Sequence, residues 1–171
     1  MKKTPLIYYP NPLLLKASKK VDDVKGALEL CKTLIAAMEA EKGIGISAVQ
    51  IGEPVRAGII HKDADASLSE HLIIINPKIF SASKDMEEGE EGCLSIPGVF
   101  GMVSRRKKIK VRYMDVEGVE HKIKATGLFA RVLQHEIDHM DGVLFIDRAT
   151  SITKGENNLK AASTLLGGVD A

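Results

Sequence analysis

Gly127-Leu128-Phe129-Ala130-Arg131-Val132-Leu133-Gln134-His135-Glu136-Ile137-Asp138-His139-Met140 is the stretch whose reading decides the fold. Its apolar residues, Leu128, Phe129, Val132, Leu133, Ile137 and Met140, spread around most of a helical circumference, which predicts a largely buried helix over 127–140. Two histidines, a glutamate and an aspartate inside such a helix need partners, because buried polar groups are costly when unsatisfied. His135 and His139 stand four residues apart and project from one face, close enough to clasp one cation, with Glu136 beside them in the pattern H-E-x-x-H. Two hydrogen-bonded core histidines next to an ion-paired glutamate is the plainer alternative, since the pattern alone is moderately specific.

A catalytic metal usually takes three protein ligands and keeps a fourth position for water. No further histidine follows within the next turns, and His61, His71 and His121 fall in a loop, at a strand margin and in a hairpin strand, where they read as surface or structural residues. Cys93, in Glu91-Gly92-Cys93-Leu94-Ser95, is the better third ligand: Gly92 permits close backbone approach, and thiolate binds zinc or iron strongly. Cys31 instead occupies an apolar helical position and reads as core.

Outward from this motif, residues 1–20 hold three prolines and read as an extended lead-in. From Val24, the residues Ala27, Leu28, Cys31, Leu34, Ile35 and Met38 recur at the period of an amphipathic helix that should stop near Gly43. A small-residue loop over 43–50 follows, then strands over 55–60 and 72–75 with a polar loop, 62–70, between them. Residues 86–92, with four glutamates around Gly89, read as a solvated acidic loop. Residues 108–114 and 119–125 alternate about the turn Asp115-Val116-Glu117-Gly118 and form a hairpin, whose Lys107, Lys108, Lys110 and Arg112 decorate a wet face or guard an edge, with no nucleic-acid site expected there. The tail, 148–171, is weakly structured, with at most a weak helix over 158–166 and frayed ends.

The 171 residues fit one domain, 1–171, with one core. Twenty-four Lys and Arg against 23 Asp and Glu give a net charge of +1, so no broad footprint for nucleic acid, DNA included, or for an anionic membrane is expected. The basic start Met1-Lys2-Lys3 is followed by Pro5, Pro10, Asn11 and Pro12, which interrupt any signal-like apolar run, and no stretch approaches the ~20 residues that span a bilayer. A cytoplasmic protein is expected.

Three segments, Gly43-Ile44-Gly45-Ile46-Ser47-Ala48-Val49-Gln50, Glu91-Gly92-Cys93-Leu94-Ser95 and Gln134-His135-Glu136-Ile137-Asp138-His139, resemble in order and spacing the signature motifs of the peptide deformylases. Flanks 127–132 and 142–147 are similar too, and the likeness runs from about Pro10 to Asp147. It implies removal of the formyl group from N-formyl-methionyl nascent peptides, with release of formate. Cys93, His135 and His139 would then hold one divalent ion. Ferrous iron is favoured by the resemblance, and zinc, nickel or cobalt also suit a sulfur and imidazole set. Glu136 would act as general acid and base, taking a proton from water on the metal and delivering one to the leaving amine. Gln50 and the backbone N–H of Leu94 would donate to the developing oxyanion. The paired Gly43 and Gly45 let their loop lie close to a bound peptide, and Gly92 is expected among the substrate-binding residues. Ile44, Leu128 and Val132 would line the methionine slot, with core packing as their alternative.

Ile46 and Ser47 stand where leucine and alanine are common in that family, a difference expected to bear on pocket shape rather than chemistry. The tail lacks the strongly basic terminal helix by which some relatives approach the ribosome, so ribosome docking stays open. Arg105 is expected to pair with Asp138 behind the metal. The reading is thus an α+β domain: short, mostly antiparallel strands around a buried C-terminal helix carrying H-E-x-x-H, plus an N-terminal amphipathic helix. Two rival functions remain at this level, a general endopeptidase on the same helix motif and a metal-storing module with every ligand position filled. The letters of a dinucleotide fingerprint at 43–48 follow a helix rather than a strand, which argues against nucleotide binding.

Overall fold

The computed structural model describes residues 3–167, so the expectations for Met1, Lys2 and the final 168–171 lie outside it. The apolar period that begins at Val24 becomes a short 3-10 turn, Lys25–Ala27, and then helix α1 (Leu28–Ala40), which buries Cys31, Leu34, Ala37 and Met38. Its stop comes one residue before Gly43. Lys42 takes the left-handed conformation (φ 56°), and the N–H groups of Lys42 and Gly43 donate to the carbonyls of Glu39 (3.1 Å) and Met38 (2.9 Å), a Schellman closure that leaves Gly43 leading into the next strand.

Eight strands follow in chain order: β1 (Gly45–Ser47), β2 (Ala57–Ile60), β3 (Leu72–Ala82), β4 (Met86–Cys93), β5 (Ile96–Arg106), β6 (Lys108–Met114), β7 (Glu120–Thr126) and β8 (Ser151–Lys154). They form a five-stranded sheet, β1-β2-β3-β6-β7, and a three-stranded sheet, β4-β5-β8, with every pairing antiparallel. Helix α2 (Gly127–Met140) lies between them, followed by α3 (Phe145–Arg148) and α4 (Glu156–Gly167). The four helices and antiparallel strands agree with the mixed class expected.

Several local expectations are corrected. The supposed acidic loop 86–92 is strand β4, paired along its length with β5 from Met86↔Arg106 to Gly92↔Phe100. Partner strand and burial override the poor strand preference of glutamate: Glu87, Glu88 and Glu90 stay exposed while Glu91 turns inward. The loop 43–50 contains β1 and a 3-10 turn, Ala48–Ile51, and 62–70 includes a 3-10 turn, Lys62–Ala64. Strand β3 runs well past residue 75, because Asn76 (φ 50°) and Pro77 make an irregularity that the strand passes through rather than an end. Nor is the tail weakly structured as far as it is described: β8 pairs with β5, and α4 follows after Gly155. The lead-in is irregular but tied down, with the N–H groups of Ile7 and Tyr9 donating to Gln50 O (2.8 Å) and Ser95 O (2.9 Å).

Helix α2 buries Phe129, Ala130, Val132, Leu133, Ile137 and Met140 against Ile60, Ile74, Ile109, Val111 and Ala125 of the five-stranded sheet. A second cluster joins α1 to Ile46, Ile59 and Ile75, and a third packs Val49, Ile96, Val103 and Leu144 around Phe145. Cys31 is fully buried in the second, and burial pushes its thiol up to about 11. No helix among the described residues is long and apolar enough to cross a membrane.

Candidate metal centre and substrate cleft

Cys93 ends β4 in one sheet, while His135 and His139 sit one turn apart on α2, which packs on the other. Their ligand atoms all lie within 4.8 Å of one another. Cys93 Sγ is 3.3 Å from His139 Nε2, close to the roughly 3.5 Å edge that bond lengths of about 2.3 and 2.0–2.1 Å give around a tetrahedral ion. Burial opposes charge on His135, yet its contacts with Cys93 and the Glu91 carboxylate raise it to about 10, so a metal ion would take the place of the proton that these groups attract. Burial and the His135 charge hold His139 well below its ordinary value, leaving a neutral imidazole of the kind that ligates metals.

Behind the triad, Glu91 is saturated. Its Oε1 accepts from Arg105 Nη2 (2.8 Å) and His135 Nδ1 (2.9 Å), and its Oε2 accepts from Arg105 Nε (2.8 Å) and Arg131 Nη1 (2.7 Å). Burial raises this carboxyl, but the Arg105 and His135 hydrogen bonds outweigh it and hold the group far below the usual carboxylate range. A carboxylate fixing the far nitrogen of a ligand histidine orients the ring and strengthens it as a ligand. The expected Arg105–Asp138 pair is present at 2.5 Å, and Arg148 adds a two-pronged contact to the same aspartate at 2.7 and 3.0 Å. Sequence reasoning missed Glu91, Arg131 and Arg148. Glu91 carried a weak signal, an acid two residues before the cysteine on the alternation of a strand.

Glu136 is buried, and desolvation raises its carboxyl above the ordinary value. Oε2 accepts from Ser47 Oγ at 2.8 Å, so Ser47 touches the chemistry, against the expectation that it would bear on pocket shape alone. A Cβ at Gly45 would come within 2.9 Å of Glu136 Oε1 and of Val132 Cγ1, so glycine is what allows β1 to lie against this carboxylate. Gln50 is fixed by the N–H of Ser47, which donates to its Oε1 (2.9 Å); its Nε2 then points to Ser95 Oγ (3.2 Å) and Cys93 Sγ (3.7 Å). Leu94 is in the tight β4–β5 connection.

Cys93, His135, Glu136, Gln50 and Leu94 open on a cavity of about 610 Å³ that Ile44, Gly45, Gly92, Leu128 and Val132 also line. Ile44 and Leu128 are 39% and 52% exposed, unlike core residues, whereas Val132 is 4% exposed and belongs to the core as well. The cleft runs between β1 and β4, each an edge strand of its sheet. The other histidines are engaged elsewhere: His61 and His71 pair at 4.5 Å between ring centroids, and His121 Nε2 donates to Asp115 Oδ2 at 2.7 Å.

The family model described as polypeptide deformylase matches residues 3–155. A peptide deformylase of Bartonella tribocorum is 43% identical over 152 residues, 87% of this chain and 85% of that protein. The crystal structure of a peptide deformylase from Legionella pneumophila superposes with a TM-score of 0.82 at 33% identity, covering 99% of this chain and 96% of that one. A Met-Ala-Ser-bound class I type b peptide deformylase from Acinetobacter baumannii gives 0.79 at 29% identity, over 86% and 98%. Since the family match runs through the cysteine, both histidines and the buried glutamate, the chain belongs to the peptide deformylases, metal-dependent hydrolases that remove the formyl group from the N-terminal formylmethionine of nascent polypeptides.

Proposed function

We propose that this chain performs deformylation as one catalytic domain, with Cys93, His135 and His139 as the ligands of a single divalent ion, and that the ion is ferrous iron in the cytoplasm. The carrying observation is the convergence of one sulfur and two imidazole nitrogens within 4.8 Å, with Cys93, His135 and Glu136 on the cavity wall. Such an ion supplies Lewis-acid charge and lowers the pKa of a bound water to about 7.

The chain's own groups do the rest. Glu136, desolvated and held by Ser47, accepts the proton of the attacking water and returns one to the departing amine. Gln50 Nε2, fixed from behind by the Ser47 N–H, and the N–H of Leu94 donate to the formyl oxygen as it gains charge. A formylated peptide lies extended between the two strand edges, with Gly45 and Gly92 allowing close approach. Its methionine side chain enters between Ile44, Leu128 and Val132, where exposed apolar surface awaits a partner. The Met-Ala-Ser ligand of the Acinetobacter baumannii relative supports this substrate class.

The test is anaerobic purification, metal analysis and formate release from formyl-Met-Ala-Ser beside its acetylated counterpart. Glu136→Ala is expected to keep its metal and lose at least about 10²-fold in turnover. Retained turnover would remove Glu136 from the proton path. Loss of metal binding in Cys93→Ala, with His61→Ala unaffected, is the companion result for the ligand set.

A further inference from the structure

We propose that the outer face of β3, β6 and β7 docks the phosphate backbone of RNA. This face lies opposite the one that packs on α2. Cross-strand register sets Lys78 beside Arg112, Arg112 beside Lys122, and Lys110 beside Lys124, with Lys108 one step further along β6. All six are exposed. Phe80, 40% exposed, lies among them, its ring centroid 5.5 Å from Arg112 Cζ and 5.8 Å from Lys122 Nζ.

The three strands together contain one acidic residue, Glu120, which pairs with Arg112 at 2.9 Å. The lysine–carboxylate pairs among the described residues involve Lys3, Lys32 and Lys160 and none of these five lysines. On a chain of net charge +1, six cations against one acid on one face make the remainder net negative. Charge is therefore segregated.

Folding does not account for it. Like charges directly opposite each other on neighbouring strands are destabilising. Lysines that guard a sheet against edge pairing belong on edge strands, which describes β7 and the part of β3 beyond Ile75 that β2 no longer pairs, Lys78 included, whereas Lys108, Lys110 and Arg112 stand on the interior strand β6. The proposal thus departs from the sequence reading of β6 as a guarded edge or plain wet face without a nucleic-acid site. What the grid does fit is a line of negative charges: cations recur at about 6.7 Å along β6 and about 4.8 Å across strands, and duplex RNA is recognised through its shape and phosphates. RNA is favoured over an anionic lipid surface by the substrate, since nascent chains are presented at a ribonucleoprotein; that clause rests on the deformylase reading. The cleft between β1 and β4 stays open when this face is covered.

The experiment uses the full metal-loaded chain and a fluorescent RNA duplex of about 16 base pairs, read by anisotropy from about 50 to about 200 mM salt. Lys110→Gln/Lys122→Gln/Lys124→Gln is expected to weaken binding roughly tenfold or more at the lower salt, and to flatten the log K against log salt slope by about 0.9 per phosphate contact removed. Its melting temperature and its hydrolysis of a short formyl-Met peptide should match the wild type. Should the triple variant not fold, Lys78→Gln/Lys108→Gln carries the same test from other rows. Equal binding by wild type and variants, no binding at about 50 mM salt, or preference for phosphatidylglycerol-rich vesicles over the duplex would each overturn the proposal. A wild type that binds the duplex through this face yet leaves the short formyl peptide intact supports the proposal and removes the deformylase reading instead.

Discussion

The hydroxyl of Ser47 meets Glu136 Oε2 at 2.8 Å in a buried setting, so it stabilises the ionised carboxylate against the desolvation that pushes it toward neutrality. Ser47→Ala keeps the backbone N–H that orients Gln50 and removes the hydroxyl's contacts with the Glu136 carboxylate and with the Glu136 carbonyl (3.0 Å). Losing a hydrogen bond to the charged form raises the carboxyl further. The acid limb of kcat/KM should therefore move to higher pH, with turnover near neutrality falling about fivefold, the equivalent of roughly 1 kcal/mol. Metal content should not change. A pH profile superimposable on that of the wild type would show that the serine merely fills space. At this scale the sequence was informative where chemistry is local: His135, Glu136 and His139 follow from four-residue spacing on one helix, and Cys93 from its glycine neighbour. It was silent where a contact depends on distant chain, as with Ser47, whose partner lies 89 residues away.

Among elements, α1 and α2 were legible because a helix writes its burial into its own three- and four-residue steps. Strand β4 was not. Four glutamates in eight residues look solvated until β5 is placed beside them, and Glu91 is then enclosed by Arg105, fourteen positions away, and Arg131, forty away. The β4–β5 pair thereby carries both a ligand, Cys93, and the carboxylate that fixes another ligand, His135. Glu91→Gln should lower stability by about 3 kcal/mol near pH 7, because Arg105 and Arg131 lose a buried anion. The sign with pH follows from the depressed carboxyl. Its stabilisation is fully present above the unfolded value of 4.5 and is lost as pH falls below that toward the still lower folded value. The gap between wild type and Glu91→Gln in urea midpoint should therefore be widest at neutral pH and narrow below about 4.5; a gap that widened in acid would contradict this account of the ion cluster.

Across the whole molecule, the ligand set joins parts that otherwise meet through side-chain packing and buried ion pairs. Cys93 belongs to the three-stranded sheet, while both histidines ride on the helix packed against the five-stranded sheet. An ion held by all three binds the folded chain and not the unfolded one, so it stabilises by mass action, about 2.7 kcal/mol when free ion is at 100 times its dissociation constant. For a chain of this size each kcal/mol is worth roughly 2–4 °C. Chelation should accordingly lower the melting temperature by about 5–10 °C, and added zinc or anaerobic ferrous iron should restore it in proportion to the logarithm of free ion. Two variants divide the effect. Cys93→Ala should melt near the chelated wild type and gain little from added metal, because two imidazoles alone no longer bridge the sheets. Glu136→Ala, which removes no ligand, should keep the full metal response. If Cys93→Ala were stabilised by metal as strongly as the wild type in differential scanning calorimetry, the ion would be held on α2 without the thiolate, and the join between the two sheets would have to rest on side-chain packing and the Arg105, Arg131 and Arg148 ion pairs without the metal.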